Sequence, residues 1–511
     1  MKPVIGYRLS VIEKEIFFCI LSATLLILSF PRFDIEFLAW FGFVPLFFAI
    51  KNKSRPKAFL FSYLTGVIFW LGIIYWLVHV TLVGLVVLVL YLALYFGLFG
   101  LIVSTYLLPT TYYLLFIPSI WVLLEYIRSH LFTGFPWALL GYSQYLNIPV
   151  IQIADISGVW GVSFLVMMVN VAIKEVLGLR FWVLGIRKKA IFMIIYCFLV
   201  ITGVIIYGYY KIYLTPNTEH QTPLKITVIQ PNIPQELKWN PQSNNYIMQK
   251  YLDISLRVVK DNPDLIIWPE AALPVVLEEV PSYYERVRDF VRGIKTPLLL
   301  GAVTRRDNLY YNSALLVSQE ARLLSRYDKL HLVPFGEYIP LRKILGFLET
   351  VVPIGDFSRG TEYTVFTLPT TYYLLPTKSS VLICFEDLFP DLSREFVKRG
   401  AGFLINITND AWFKRTSSPY QHLCASVFRA VENRVFLVRA ANTGVSGFIA
   451  PTGKIISLVA DASGNNIFVS GYKSQEISAS KESHSFYTRY GNIFCCACLL
   501  FVLGGIIIFM A

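Results

Sequence analysis

The amino-acid sequence predicts a polytopic α-helical membrane domain of about eight spans joined to an α/β domain. The chain has 511 residues, of which 55% are hydrophobic and only 15% are charged, whereas soluble domains usually carry about 25% charged residues. The deficit in charge lies in the first ~210 and the last ~20 residues, which are strongly apolar. Residues 215–485 have the composition of an ordinary soluble domain, so the chain combines two kinds of structure.

Eight apolar stretches are the candidate membrane spans. A helix that crosses a bilayer needs about 20 mostly apolar residues, and these stretches reach or approach that length. They cover residues 14–30, 36–50, 57–78, 81–107, 110–126, 158–178, 189–210 and 491–510. The predicted domains are therefore 1–212 (transmembrane helices, about seven spans), 220–485 (an extracytoplasmic domain) and 490–511 (a C-terminal transmembrane helix).

Two charged residues, Glu125 and Arg128, lie near the end of the fifth stretch. Because charges are expensive in lipid, the pair either marks an interfacial helix end or makes a polar contact within the helix bundle.

The orientation of the spans follows from three clusters of Lys and Arg. One cluster precedes the first span, four basic residues separate the second and third spans, and Arg187, Lys188 and Lys189 separate the sixth and seventh. With the spans counted as above, all three clusters lie on one side, which the positive-inside rule assigns to the cytoplasm. We therefore expect a multi-pass protein of the bacterial cytoplasmic (inner) membrane, with residues 220–485 on its periplasmic or outer face.

Much of the net charge of +12 lies in basic clusters next to apolar stretches, which are typical of membrane orientation or of contact with anionic lipid. Basic residues do not alternate with aromatic residues as on a nucleic-acid surface. The membrane is thus an expected partner and nucleic acid is not.

Short apolar runs in the polar region predict buried strands. These runs are Leu224–Gln230, Leu265–Trp268, Pro297–Val303, Ser313–Val317, Val381–Phe385, Phe403–Ile407 and Val435–Ala440. Between them lie three helical stretches, Ser282–Gly293, Pro390–Gly400 and Gln421–Arg434. Alternating strands and helices predict a layered α/β domain with a buried sheet.

Three reactive side chains follow apolar runs of this domain, namely Glu270, Lys329 and Cys384. A thiol is a strong nucleophile only as the thiolate, and it needs a base or a positive neighbour to reach that form. Glu270 could take the proton, and the ammonium of Lys329 could stabilise both the thiolate and a tetrahedral oxyanion. Each residue alone is ordinary, so the prediction depends on the three occurring together.

The flanking sequences narrow this prediction. They are Trp268–Glu270, Lys329–Pro340, Cys384–Glu386, Asn406–Phe413, Pro419–His422 and Asn442–Gly444. The first three resemble the Glu–Lys–Cys motifs of the nitrilase superfamily. Together with the flanking spans, the whole set resembles the apolipoprotein N-acyltransferase family of the bacterial envelope, and the resemblance extends over essentially the entire chain.

This resemblance implies a nitrilase-like α-β-β-α sandwich on a helical membrane base. It implies that Cys384 is the nucleophile and that Glu270 is the general base. Lys329, with help from the backbone N–H of Phe385, would stabilise the oxyanion.

Further residues are implied at and near the site. Glu337 matches a second glutamate that positions the lysine, Glu386 matches another site carboxylate, and Trp239 matches a tryptophan on a loop near the acyl-chain entrance. There are two departures from the family pattern. Phe385 stands where relatives often have Tyr, and Lys414 stands where a glycine is common.

The implied reaction transfers an acyl chain from a phospholipid, through a thioester on Cys384, to the α-amine of the diacylglyceryl-modified cysteine of an apolipoprotein. It requires no metal and no organic cofactor. A disulfide between Cys384 and Cys424 is not expected, because it would remove the nucleophile. The apolar stretch Leu341–Ile354 either dips toward lipid and covers the acyl chain or forms a buried helix. The alternatives to this function are a membrane-tethered amidase or hydrolase with the same triad, and an inert envelope scaffold.

Overall fold

A computed structural model describes residues 2–105, 110–178, 184–214, 223–339, 356–369, 377–480 and 485–510. The chain divides into two compact units. The first comprises residues 1–215, 416–424 and 490–511, and the second comprises residues 216–415 and 425–489.

The first unit is helical. Its α-helices are Lys2–Leu28, Val44–Ile50, Arg55–Ile74, Leu82–Thr105, Thr110–His130, Ile148–Ile151, Ala154–Ser157, Val159–Gly178, Leu184–Tyr209 and Ile493–Met510. Short 3₁₀ segments cover Glu36–Trp40, Tyr75–His79 and Leu140–Gln144, and one π-helical turn covers Tyr210–Leu214. Helical residues thus occupy each of the eight predicted stretches, and the second stretch is split into a 3₁₀ and an α segment.

Four of the described helices are long and apolar enough to cross a membrane. They are Arg55–His79, Leu82–Thr105, Val159–Leu177 and Ile191–Leu214. In Leu82–Thr105 the side chains of Val83 and Val87 are more than 60% exposed, and an apolar exposed face on a fully apolar helix is typical of contact with lipid. Glu36–Ile50, Ile148–Ser157 and Ile493–Ile507 are apolar but shorter, so the number of eight spans stays a prediction.

The charged pair of the fifth stretch makes polar contacts inside the helical unit. Arg128 is buried and donates to the carbonyl oxygens of Phe135 and Trp137, each at 2.8 Å. Glu125 is also buried and accepts from the backbone N–H of Leu140 at 2.6 Å. Of the two sequence-based alternatives, the structure therefore favours the polar contact within the bundle over the interfacial end.

The second unit contains two six-stranded sheets. The strands are β1 (Leu224–Gln230), β2 (Leu265–Ile267), β3 (Leu298–Arg306), β4 (Leu309–Val317), β5 (Leu323–Asp328), β6 (Phe366–Thr367), β7 (Lys378–Ile383), β8 (Phe403–Thr408), β9 (Phe436–Ala441), β10 (Gly447–Ile449), β11 (Ile455–Leu458) and β12 (Gly471–Ile477). The first sheet has the order β12-β1-β2-β3-β4-β5 and the second β11-β10-β9-β8-β7-β6. The central pairs β1–β2, β2–β3, β7–β8 and β8–β9 are parallel.

Helices cover the outer faces of these two sheets, which contact each other through β1 against β9 and β4 against β7. The α-helices of the unit are Asn244–Val258, Pro281–Ile294, Pro390–Lys398, Ser418–Asn433 (residues 425–433 in this unit) and Phe486–Tyr490. Helix Asn244–Val258 packs on the first sheet and Pro390–Lys398 on the second. The result is an α-β-β-α arrangement, and the predicted α/β domain is confirmed.

The core beneath the first sheet explains why Asn244–Val258 forms a helix there. Ile247, Tyr251, Ile254 and Val258 are buried in one cluster with apolar residues of the sheet. Their spacing places them on one face of a helix with 3.6 residues per turn, so helix formation and burial support each other.

The strand that the sequence predicts over Val381–Phe385 ends earlier in the structure, because β7 stops at Ile383 and a 3₁₀ segment begins at Cys384. The strand cannot continue because the backbone of Cys384 is left-handed, with φ of +53°. The stretch Leu341–Ile354 lies outside the described residues.

Candidate active site

Glu270 lies just beyond the end of β2 and is separated from it by Trp268 and Pro269. The indole N–H of Trp268 donates to the hydroxyl of Ser255 at 2.9 Å, and the ring is fully buried. This contact anchors the strand end, so the carboxylate of Glu270, which is 8% exposed, projects from a rigid support.

Lys329 follows β5 and is 1% exposed. Its ammonium lies 2.9 Å from Oε1 of Glu337 and 3.8 Å from Oε1 of Glu270. The amide of Asn312 donates to both carboxylates, at 2.7 Å to Glu270 and 2.9 Å to Glu337. The second oxygen of Glu337 accepts from the backbone N–H of Val333 at 2.7 Å. Glu337 therefore holds Lys329 on one side while Glu270 faces it on the other.

Glu386 joins the lysine segment to the cysteine segment. Its Oε1 accepts from the hydroxyl of Tyr327 at 2.8 Å and from the backbone N–H groups of Leu330 and His331 at 2.7 and 2.9 Å. Its Oε2 accepts from the backbone N–H of Ile383 at 2.7 Å. This fully buried carboxyl thus fixes the strand ends that carry Lys329 and Cys384 relative to each other.

Cys384 occupies a sharp turn between β7 and the following 3₁₀ segment. A non-glycine residue at φ of +53° is strained and persists only where its surroundings hold it. The amide of Asn406 donates to the carbonyl oxygens of Leu382 and Cys384 at 3.2 and 3.1 Å. Together with Glu386, this amide holds the turn, in which Cys384 is a half-buried residue.

The charges of the cluster act on the thiol. Burial raises the pKa of Cys384 well above its ordinary value, the charge of Glu270 raises it further, and Lys329 lowers it. Burial also raises the pKa of Glu270, whereas Lys329 and the hydrogen bond from Asn312 lower it. The resting site therefore pairs a protonated thiol with a nearby carboxyl group, so a base must remove the thiol proton before attack.

Several families and proteins are similar to this chain. Residues 22–172 match the family described as apolipoprotein N-acyltransferase N-terminal domain, and residues 225–473 match the family described as carbon-nitrogen hydrolase. Apolipoprotein N-acyltransferase of Geobacter metallireducens is 38% identical in an alignment of 504 positions, which covers 95% of this chain and 94% of that protein. The corresponding protein of Pasteurella multocida is 30% identical over 98% of this chain and 97% of its own length.

The chain belongs to the apolipoprotein N-acyltransferase family. It is an enzyme, an acyltransferase, and its second unit is a nitrilase-like domain. The resemblance that the motifs indicated is thereby confirmed. Among solved structures, an amidase of Nesterenkonia sp. AN1 is 19% identical with a TM-score of 0.39, covering 53% of this chain and 98% of the amidase.

The sequence also singles out Phe385, Trp239 and Lys414 in this member of the apolipoprotein N-acyltransferase family. They lie outside the cluster of site carboxylates and Lys329. The ring of Phe385 packs against Phe389 and His331, with centroid distances of 5.2 and 6.2 Å. Trp239 is 49% exposed on the loop after β1. Lys414 adopts φ of +52°, so this turn has a left-handed backbone at a residue other than glycine.

A buried ion pair between Arg439 and Asp387 was not predicted. The guanidinium of Arg439 donates to Asp387 at 2.8 Å and to the hydroxyl of Ser426 at 2.5 Å, and it lies 3.9 Å from Asp410. The charge of Asp410 also acts on the thiol of Cys384. Arg439 on β9 thus connects the turn after β8 to the segment that begins at Cys384.

Two further residues near the site escaped sequence reasoning, namely Asn312 and Lys238. Asn312 lies within the apolar strand β4 and is 5% exposed. Lys238 directly precedes Trp239 and is 1% exposed. A polar residue inside an apolar strand was the one available signal for Asn312. In the described part of the chain, no group of three or more His, Cys, Asp or Glu residues is arranged to hold a metal ion.

Proposed function

We propose that this enzyme transfers an acyl chain from a phospholipid, through a thioester on Cys384, to the α-amine of the N-terminal diacylglyceryl-cysteine of an apolipoprotein. The proposal depends on one observation: the ammonium of Lys329 lies 3.8 Å from the carboxylate of Glu270, and the charges of both act on the thiol of Cys384. The relatives named for acyl transfer to apolipoproteins support the acceptor. The long apolar helices support a donor that is held in the bilayer.

In the first half-reaction, the carboxylate of Glu270 takes the thiol proton as Cys384 attacks the ester carbonyl carbon. The developing oxyanion is stabilised by the ammonium of Lys329 and the backbone N–H of Phe385. The carbon–oxygen bond then breaks, and Glu270 returns the proton to the departing lysophospholipid oxygen. A thioester on Cys384 remains.

In the second half-reaction, the free α-amine of the acceptor attacks the thioester carbonyl carbon. Glu270 takes a proton from the amine, and the carbon–sulfur bond breaks as the amide forms. The proton passes to the sulfur of Cys384, which restores the thiol and completes the ping-pong cycle. Glu337 keeps Lys329 in place throughout, and Glu386 holds the two strand ends.

We further propose the substrate access and the arrangement in the membrane. Trp239, which is half-exposed on its loop, is a substrate-binding residue near the entrance of the acyl chain. Eight spans, with domains 1–212, 220–485 and 490–511, place the catalytic domain on the periplasmic or outer face of the bacterial inner membrane. The basic loops support this orientation.

Mass spectrometry of the intact, detergent-purified protein tests the thioester. After incubation with phospholipid vesicles, the wild type should gain the mass of one acyl chain, and hydroxylamine should remove it. Cys384→Ala should gain none, whereas the matched variant Cys424→Ala should behave as the wild type because Cys424 lies in the helix Ser418–Asn433. An acyl adduct on Cys384→Ala would refute the proposal.

A diacylglyceryl-cysteinyl peptide then distinguishes a transferase from a hydrolase. The peptide should gain the acyl mass while the enzyme adduct disappears. Rapid loss of the adduct in water without the peptide would instead favour the hypothesis that the enzyme is a hydrolase.

A membrane-impermeant maleimide tests the orientation. It should label Ser463→Cys from the outer side of the inner membrane and should not label Asn52→Cys, because both residues are exposed and the proposed topology separates them. The opposite pattern would contradict the topology.

A further inference from the structure

A second lysine, Lys238, is buried at the candidate site. It is 1% exposed, and its ammonium donates to the main-chain carbonyl oxygen of Glu270 at 2.9 Å. Among the residues that the structure describes, this neutral carbonyl is its hydrogen-bond acceptor, and no carboxylate takes that place. Burying an ammonium whose hydrogen bond goes to a neutral acceptor costs free energy, and the charge of Glu270 only partly offsets the effect of burial on Lys238. Stability therefore does not explain the position of Lys238.

The loop that carries Lys238 contains a short 3₁₀ turn, and contacts at both ends of this turn hold the loop against the rest of the domain. The turn Gln235–Leu237 begins with an amide oxygen that accepts from Asn409 at 2.9 Å, and its last residue packs against the core of the first sheet. Lys238 follows and binds the main chain of Glu270. The next side chain is the half-exposed Trp239, so the lysine connects the proposed entrance residue with the proposed base.

The main chain around Glu270 shows why this bond matters. The backbone N–H of Gly301 donates to Pro269 at 3.3 Å, and that of Ala272 donates to Gly301 at 2.8 Å. These bonds to β3 hold the residues on either side of the base. Between them the backbone turns to φ of +44° at Ala271, and the carbonyl of Glu270 is held by Lys238.

Lys238 also acts through its charge. Burial lowers the pKa of Lys238 to about 8, while the charges of Glu270 and Cys384 oppose this, so the ammonium form predominates at pH 7. Its charge is one of the influences that lower the pKa of the Glu270 carboxyl against the effect of burial. The titratable and polar groups that face Glu270 are Lys329, Glu337, Asn312, Lys238 and Cys384.

We propose that Lys238 is a positioning residue of the acyl-transfer site. It fixes Glu270 through the main-chain carbonyl, favours the carboxylate form through its positive charge, and ties the base to the loop of Trp239. This inference rests on the proposed role of Glu270 as the base.

The pH dependence of acyl-adduct formation on Cys384 tests the inference. The rate should rise with pH as Glu270 ionises, because the carboxylate form is the base. Lys238→Met removes an opposite charge, so the pKa of Glu270 should rise and the acidic limb of the pH–rate profile should move to higher pH. The rate on that limb should fall several-fold. Lys238→Arg keeps the charge and should keep the wild-type limb.

Lys250→Met is the matched control. Lys250 is half-buried and also donates to a main-chain carbonyl, that of Asn232 at 3.3 Å, but it does not belong to the cluster around Glu270. The acidic limb of the pH–rate profile of Lys250→Met should be that of the wild type. The midpoint of a limb does not depend on the amount of active protein, so a partly folded variant still reports the shift.

Three outcomes would overturn the inference or its basis. An unshifted acidic limb of the pH–rate profile in Lys238→Met would refute the role of the charge. The proposed function would still stand in that case if Cys384→Ala forms no adduct. Equal shifts in Lys238→Met and Lys238→Arg would likewise refute it. An adduct on Cys384→Ala would refute the proposed function itself.

Discussion

Gly301→Ala should displace the main chain of the proposed base, Glu270, and so slow the reaction. Gly301 lies in β3 next to the end of β2. An added Cβ atom would come within 2.6 Å of the carbonyl oxygen of Pro269 and 2.7 Å of Cα of Glu270. Both neighbours are backbone atoms, so no flexible side chain can move aside.

The required displacement can be worked from these distances. Ordinary contact of a Cβ atom begins near 3.4 Å, so the backbone at Glu270 must move by about 0.7 Å. A misplacement of about 1 Å at a reacting group costs roughly 100-fold in rate. We therefore expect acyl-adduct formation on Cys384 to slow by roughly 10- to 100-fold, with a packing cost of about 1–3 kcal/mol.

The assay follows the adduct by intact-protein mass spectrometry under single-turnover conditions, beside thermal unfolding of the same samples. Gly293→Ala is the matched control, because a Cβ atom at Gly293 would meet nothing within 4 Å. Gly293 lies in the helix Pro281–Ile294, where alanine stabilises by up to about 1 kcal/mol. A wild-type rate in a folded Gly301→Ala protein would refute the reasoning about the placement of Glu270.

Three further substitutions test contacts around the site. Asn312→Leu removes an amide that donates to the carboxylates of Glu270 and Glu337. Because a hydrogen bond to a charged group contributes about 1.5–3 kcal/mol, formation of the acyl adduct should slow roughly 10- to 100-fold. An unchanged rate would contradict this. Arg439→Met leaves the buried carboxylate of Asp387 without its guanidinium partner, which should cost about 3–5 kcal/mol of stability and lower the unfolding temperature. Adding Asp387→Leu should restore much of the lost stability. A further drop in the unfolding temperature would argue against the ion pair. Lys238→Met should unfold at an equal or higher temperature than the wild type at pH 7. Burial lowers the pKa of Lys238 from 10.5 to about 8, a cost of about 3 kcal/mol for the charged form. Because the unfolded chain binds the proton more tightly, wild-type stability should rise between pH 8 and 10.5, and a lower unfolding temperature of the variant at pH 7 would contradict the cost.

Much of the α/β domain was predictable because its strands are locally apolar. Leu224–Gln230 was predicted with the observed bounds of β1, since a continuous run of β-prone residues is enough to indicate a buried strand. The edge strand β12 escaped prediction because Gly471–Ile477 is mostly polar, with one fully buried residue. Its strand conformation comes from pairing with β1, which no local pattern shows.

The three reactive residues were indicated by their places after apolar runs, but their arrangement depends on the tertiary structure. Asn312 contacts carboxylates that lie 42 and 25 residues away along the chain. The turn at Cys384 interrupts a sequence that favours a continuing strand, because Glu386 and Asn406 bind its flanking backbone.

The amino-acid sequence by itself determined the apolar helices and the main strands and led to the proposal of three reactive residues, because hydrophobic periodicity and short motifs are local properties. Only the tertiary structure decided that Lys238 is buried beside Glu270 rather than exposed on a loop. The same holds for Arg439, whose partners come from separate segments. Burial and charge pairing are set by contacts between distant parts of the chain, so no reading of neighbouring residues could reveal them.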